Sequence, residues 1–188
     1  EIPLPQLADF KKEHFASLRS IYEDISLLEA EKIKSTEKVT NHDVKAIEYY
    51  LKEKYFQSGW GKYSEFIHFG LTSQDINNTA LPLSLKDAMA ELYLPLLFEL
   101  RETLAGMADQ YKDIAMLSRT HGQPASPTRL GKEISVFIAR IDEQSKYFSQ
   151  VPYTAKFGGS VGNMNAHKAA FPDIDWINFA DNFISEIL

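Results

Sequence analysis

Three short segments concentrate the side chains that can move protons or hold anions. Thr40-Asn41-His42-Asp43-Val44-Lys45 sets an amide, an imidazole and a carboxylate in a row. One reading is helix capping, with Asn41 or Asp43 satisfying free N–H groups and the acid suiting the helix dipole. That reading leaves His42 unexplained, and the same helix start is a ready anion site. The second segment, His68-Phe69-Gly70-Leu71-Thr72-Ser73-Gln74-Asp75-Ile76-Asn77-Asn78-Thr79, has a hydrogen-bonding side chain at most of its positions. Thr72 and Ser73 present two hydroxyls where a long helix begins and unpaired N–H groups point outward, an arrangement suited to a carboxylate or phosphate. The alternative is a helix start with a fully hydrogen-bonded polar seam. In the third segment, Ser118-Arg119-Thr120-His121-Gly122-Gln123-Pro124-Ala125-Ser126-Pro127-Thr128, two prolines and a glycine make a rigid connection between helices. A histidine held there, with an ordinary pKa near about 6.5, is suited to general acid or base work. An ordinary interhelical turn with a surface His121 is the other reading.

The composition excludes several other chemistries. The 188 residues contain no cysteine, so disulfides, thiolate metal sites and cysteine nucleophiles are out. The histidines at 14, 42, 68, 121 and 167 have no metal-binding spacing, so no metal is expected. Gly158 to Gly162 does not match the dinucleotide fingerprint and follows no strand pattern, which argues against a Rossmann-type site. With 26 acidic against 20 basic residues the net charge is −6, which argues against a broad grip on nucleic acid. No apolar run reaches the roughly 20 residues of a membrane span, and no signal peptide is recognisable. The expected setting is cytoplasmic, so the Asn77-Asn78-Thr79 sequon goes unused.

The elements that must position these segments read as helices. Apolar residues recur at helical spacing over 6–30 (Leu7, Phe10, Phe15, Leu18, Ile21, Ile25, Leu28), predicting two helices, and over Asp43–Tyr55, with Asn41 as the cap ahead. Gln57 to Gly61 reads as a loop. From Ser73 to Tyr111 the pattern predicts one helix about 55 Å long at 1.5 Å per residue, kinked at Pro82 and Pro95. A second long helix is expected after Ser126-Pro127, through Ile134 and Ile141 to Phe148, and a last one over Asp175–Leu188. No window shows sustained strand alternation, so the fold is expected to be all-α. The chain begins without Met and stops inside an apolar pattern, which suggests a piece of something longer.

Asn41-His42-Asp43-Val44-Lys45-Ala46, His68-Phe69-Gly70-Leu71-Thr72-Ser73-Gln74-Asp75-Ile76-Asn77 and Arg119-Thr120-His121-Gly122-Gln123-Pro124-Ala125 together resemble the adenylosuccinate lyase family, in its order and approximate spacing. Lys156-Phe157-Gly158-Gly159-Ser160-Val161-Gly162-Asn163 is similar to that family's next glycine-rich stretch. The resemblance implies the fumarase/aspartase-type bundle of long helices in a homotetramer, with each active site built from three subunits. Residues 1–70 would belong to a smaller helical N-terminal domain and 71–188 to the first part of the central bundle. It implies cofactor-free β-elimination of adenylosuccinate to AMP and fumarate, and of SAICAR to AICAR and fumarate. His121 matches the general acid. Thr72 and Ser73 would contact a substrate carboxylate or its neighbours, Asn41, His42 and Asp43 would line the site, and His68 would touch phosphate or substrate. Thr120 and Gln123 would fix the His121 loop. The family's catalytic serine loop, roughly Gly-Ser-Ser-x-Met-Pro, has no counterpart in these residues. The base is therefore expected outside this chain, and the isolated chain is expected to be inactive. The alternatives are another lyase of the superfamily, such as argininosuccinate lyase, and a non-catalytic helical assembly module.

Overall fold

A computed structural model describes residues 4–188. The chain divides into two compact units, one comprising residues up to Thr79 with Ala155–Glu186, the other Ala80–Thr154 with Ile187 and Leu188.

In the first unit, short 3₁₀ turns at Pro5–Leu7 and Lys12–His14 lead into α1 (Phe15–Glu23), α2 (Leu27–Thr40) and α3 (Asp43–Gln57). Ser26 caps α2 in a capping box: its hydroxyl accepts from the Glu29 N–H, and the Glu29 carboxylate accepts from the Ser26 N–H at 2.9 Å. Helices α2 and α3 run antiparallel, since Glu29 meets Lys54 and Tyr50 (Oη to Oε1, 3.1 Å) while Lys32 meets Glu53 at 2.6 Å. Val44, Ala46 and Tyr50 are the buried apolar residues of α3. After a 3₁₀ stretch at Gly61–Phe66 comes α4 (Ser73–Ala88), whose first turn belongs to this unit. The return segment adds α7 (Asn165–Ala170) and α8 (Trp176–Ile187). Met164, Trp176 and Ala180 form a buried core, with Phe69, Phe157, Phe171, Ile174 and Phe179 packed against it. The Trp176 indole N–H donates to the Phe171 carbonyl at 3.0 Å, so the one polar atom of that buried ring is satisfied.

In the second unit the long helix widens locally. Residues Met89–Tyr93 form a π-turn between the rest of α4 and α5 (Leu94–Gln110). Pro95, at the start of α5, has no N–H to donate back toward Glu91, and the widened turn precedes it. The expected long helix toward Tyr111 thus runs on through this widened turn to Gln110, with Pro82 inside α4. Next come β1 (Ala115–Thr120) and β2 (Gln123–Arg129), an antiparallel hairpin, and α6 (Leu130–Phe148). The all-α expectation is borne out, with this small hairpin added. Ser126 and Pro127 lie within β2 and do not start α6, which begins at Leu130 after an extended Arg129 without side-chain capping. Helix α6 runs back along α5: the Arg101 guanidinium grips Asp142 through Nε (3.1 Å) and Nη2 (3.2 Å). At the other end Gly131 is buried, and a Cβ there would lie 2.2 Å from the Ala108 carbonyl oxygen. Only glycine permits that approach, which sets α6 down on the end of α5.

Candidate functional site

The first polar segment is the joint between α2 and α3. Asn41 takes the left-handed conformation (φ 52°) as the C-cap of α2, its N–H donating to the Glu37 carbonyl at 2.8 Å. The expected Asn41 cap of α3 is instead His42, whose Nδ1 accepts from the Lys45 N–H at 3.2 Å. A cap bond to Nδ1 requires the lone pair there, so a neutral His42 carries its proton on Nε2. The ring thereby presents an N–H donor outward. Asp43 accepts from the Val44 N–H (2.8 Å) and from the Asn77 amide (3.2 Å), and these two bonds hold its carboxyl below the ordinary range. Lys34, Glu37, Lys38, Asn41, His42 and Asp43 line an open hollow of about 520 Å³.

The Asp43–Asn77 bond ties the first polar segment to the second. There His68 Nδ1 lies 3.3 Å from the Glu48 carboxylate, which is almost wholly buried and also meets Lys45 (2.5 Å) and Lys52 (3.2 Å). Burial pushes the Glu48 carboxyl up, but the two ammonium groups outweigh it and the net shift is downward.

Thr72 and Ser73 stand at the start of α4, half-buried. Beneath them is a group that spacing did not single out. Asp75 is 2 % exposed and its carboxylate accepts four bonds. Oδ2 takes the N–H groups of Thr72 (2.9 Å) and Gly159 (3.0 Å), and Oδ1 takes the Gly158 N–H (3.0 Å) and the Lys156 ammonium (3.1 Å). Burial raises the Asp75 carboxyl, yet these donors prevail and lower it. The glycine-rich turn is thus an anion cradle, and its occupant is a side chain of the same unit. Beside it, Gly70 (φ 68°) faces His167, where a Cβ would lie 2.5 Å from Nε2. His167 is 1 % exposed and neither ring nitrogen has a hydrogen-bond partner.

The third polar segment forms the hairpin of the second unit. Thr120 pairs with Gln123, leaving His121 (φ 49°) and Gly122 (φ 78°) as a two-residue turn with both central residues at positive φ, as a type I′ turn demands. Histidine is among the side chains enriched at such positions. Between Leu117 and Arg119 the register shifts, and Pro124 and Pro127 withhold donors from the ladder. His121 is exposed at the tip, and among the described residues its ring has no hydrogen-bond partner. Asn41, His42, Asp43, His68, Thr72 and Ser73 therefore share the first unit, and Thr120, His121 and Gln123 share the second. Among the described residues no group of three or more metal-ligating side chains occurs, and no helix is long and apolar enough to cross a membrane.

Comparison with known proteins gives the chain a family. The family described as Lyase matches residues 4–184. The chain belongs to this lyase family. It is 50% identical over 180 residues to an adenylosuccinate lyase of Dictyostelium discoideum, covering 93% of this chain and 38% of that protein. It is 42% identical over 185 residues to an adenylosuccinate lyase of Escherichia coli K12, covering 98% and 41%. The resemblance drawn from the three polar segments is borne out, and the chain spans about 40% of the length of these lyases. Among solved structures, a fumarate lyase from Mesorhizobium sp. BNC1 shares the fold with a TM-score of 0.69 at 22% identity, over 86% of this chain and 38% of that one. A β-carboxy-cis,cis-muconate cycloisomerase from Acinetobacter calcoaceticus sp. ADP1 does so with a TM-score of 0.65 at 21% identity, over 90% and 38%.

Proposed function

We propose that this chain supplies part of the active site of an adenylosuccinate lyase, which cleaves adenylosuccinate to AMP and fumarate and SAICAR to AICAR and fumarate. The observation that carries the reading is the identity of 42% or more to adenylosuccinate lyases across nearly the whole chain. In the reaction a base removes a proton from the succinyl carbon beside a carboxylate. That electron pair forms the new C=C bond as the C–N bond breaks, and an acid protonates the departing nitrogen. His121 is the acid, unencumbered at the tip of its hairpin, and the paired Thr120 and Gln123 hold the turn. Thr72, Ser73 and the first-turn N–H groups of α4 receive carboxylate charge that grows in the transition state. Asn41, His42 and Asp43 line the substrate site, and His68, set by Glu48, contacts phosphate or substrate.

The base comes from elsewhere in the full-length protein, so the 188-residue chain alone releases no fumarate. The full-length protein is a cytoplasmic homotetramer that needs no cofactor and binds neither nucleic acid nor membrane, with residues 1–70 in an N-terminal helical domain and 71–188 opening the central bundle. Apolar side chains left exposed on the helices of the second unit, among them Leu81, Leu92, Leu96 and Phe98, support assembly into a larger bundle. Fumarate release by full-length protein tests the reading. His121→Ala should lower turnover by about 10²–10⁴-fold. Unchanged turnover would instead favour a helical module that keeps these segments for packing.

A further inference from the structure

We propose that Asp75 is a positioning residue for catalysis, locking the Thr72–Ser73 hydroxyl pair to the Lys156–Gly159 turn. This rests on the functional reading above. The Asp75 side chain is completely inaccessible, so it cannot touch substrate. Helix capping alone would need only the bond from the Thr72 N–H, three residues back. The other three donors come from residues more than eighty positions away, and together the four saturate both carboxylate oxygens. Such a carboxylate is a cross-link, and one end of it is the backbone that carries Thr72.

The same turn is fastened at further points around the pair. The Thr79 hydroxyl, one turn into α4, bonds the Asp75 carbonyl (2.8 Å) and the Lys156 carbonyl (3.4 Å). A Cβ on Gly159 would sit 3.4 Å from the Gly70 carbonyl oxygen, so the turn also backs the strand of chain leading into Thr72. Lys156 has an electrostatic task as well. It cancels the Asp75 charge at 3.1 Å, where an uncompensated carboxylate so near Thr72 would repel an anionic substrate.

The test uses full-length protein, with fumarate release, melting temperature and oligomeric state measured together. Asp75→Asn keeps the shape but turns an amide toward N–H donors, and kcat/KM per folded enzyme should fall by about 10²-fold, the cost of misplacing a contact by roughly 1 Å. Lys156→Met leaves the Asp75 charge without its cation and, per folded enzyme, should raise KM for adenylosuccinate about tenfold by repulsion. Because Asp75 acts through Thr72, the effects of Asp75→Asn and Thr72→Ala on kcat/KM should be non-additive in a double-mutant cycle. A lower melting temperature with unchanged kcat and KM, or strictly additive effects, overturns the positioning role. Should Asp75→Asn fail to fold, an unchanged KM in Lys156→Met overturns it. Wild-type protein that releases no fumarate overturns the functional reading and this proposal together.

Discussion

Gly70→Ala is the sharpest probe of the packing beneath the second polar segment, and its cost can be worked from two independent contributions. Gly70 has φ 68°, a conformation that costs an L-residue about 1–2 kcal/mol. The added methyl would lie 2.5 Å from His167 Nε2, 2.6 Å from Cε1 and 2.7 Å from Cδ2. That ring is 1 % exposed, with the Trp176 ring centroid at 4.7 Å and those of Phe69 and Phe157 at 5.7 Å, so any shift must be made against these rings or into the apolar cavity of about 370 Å³ that it lines with them. Overpacking of this kind costs about 1–3 kcal/mol. Alanine stiffens the unfolded chain by about 0.4–1 kcal/mol in the other direction. The sum is a loss of about 1–5 kcal/mol. Urea unfolding followed by tryptophan fluorescence measures it, since Trp176 touches the ring that must move. The same substitution in a His167→Ala background removes the clash and leaves only the backbone contribution, about 1 kcal/mol. A loss below about 0.5 kcal/mol, or an equal loss in both backgrounds, would refute the reasoning.

Two titrations follow from other buried or paired groups. Burial holds the His167 imidazole below its ordinary 6.5, against a smaller opposing pull from Asp75. As pH falls below 6.5 the unfolded chain therefore gains a proton that the folded chain refuses, and stability drops by up to about 1.4 kcal/mol per pH unit until the folded pKa is reached. His167→Phe should lose less stability than wild type between about pH 7.5 and about pH 5.5, and parallel losses would count against it. On the α2–α3 face, Lys54, then the Ser26 N–H and hydroxyl and the Tyr50 hydroxyl, hold the Glu29 carboxyl at about 2. Its folded pKa is depressed, so its contribution is present above the ordinary 4.5 and disappears as pH falls through about 2. A carbon-detected titration should place its midpoint near 2 and move it upward in Lys54→Met; a wild-type midpoint near the ordinary value would contradict the pairing.

What the sequence disclosed and what it hid separate by the range of the interactions. Helical periodicity exposed α3, most of α6 and α8, because apolar residues recur along each at helical spacing. The polar segments stood out because helix ends need local partners, although which residue caps which helix was legible only in part. Asn41 serves the helix before it, and the cap of α3 is a histidine, a type ranked below Asn, Asp and Ser for that place. The hairpin escaped because Pro124, Pro127 and Gly122 read as loop punctuation, and a register shift breaks the alternation of two short strands. One signal was present: His121-Gly122 occupies the place of the Asn-Gly or Asp-Gly pair of a type I′ turn, with a residue tolerant of positive φ before glycine. Asp75 and His167 left no such trace. The donors that distinguish Asp75 from an ordinary capping acid lie in Lys156–Gly159, and His167 owes its burial to Gly70 and three aromatic rings brought in from both ends of the unit. No local spacing encodes a contact across eighty residues. The groups that can meet a ligand were therefore readable one segment at a time, whereas the groups that hold them in place become visible only when the glycine-rich turn closes over the start of α4.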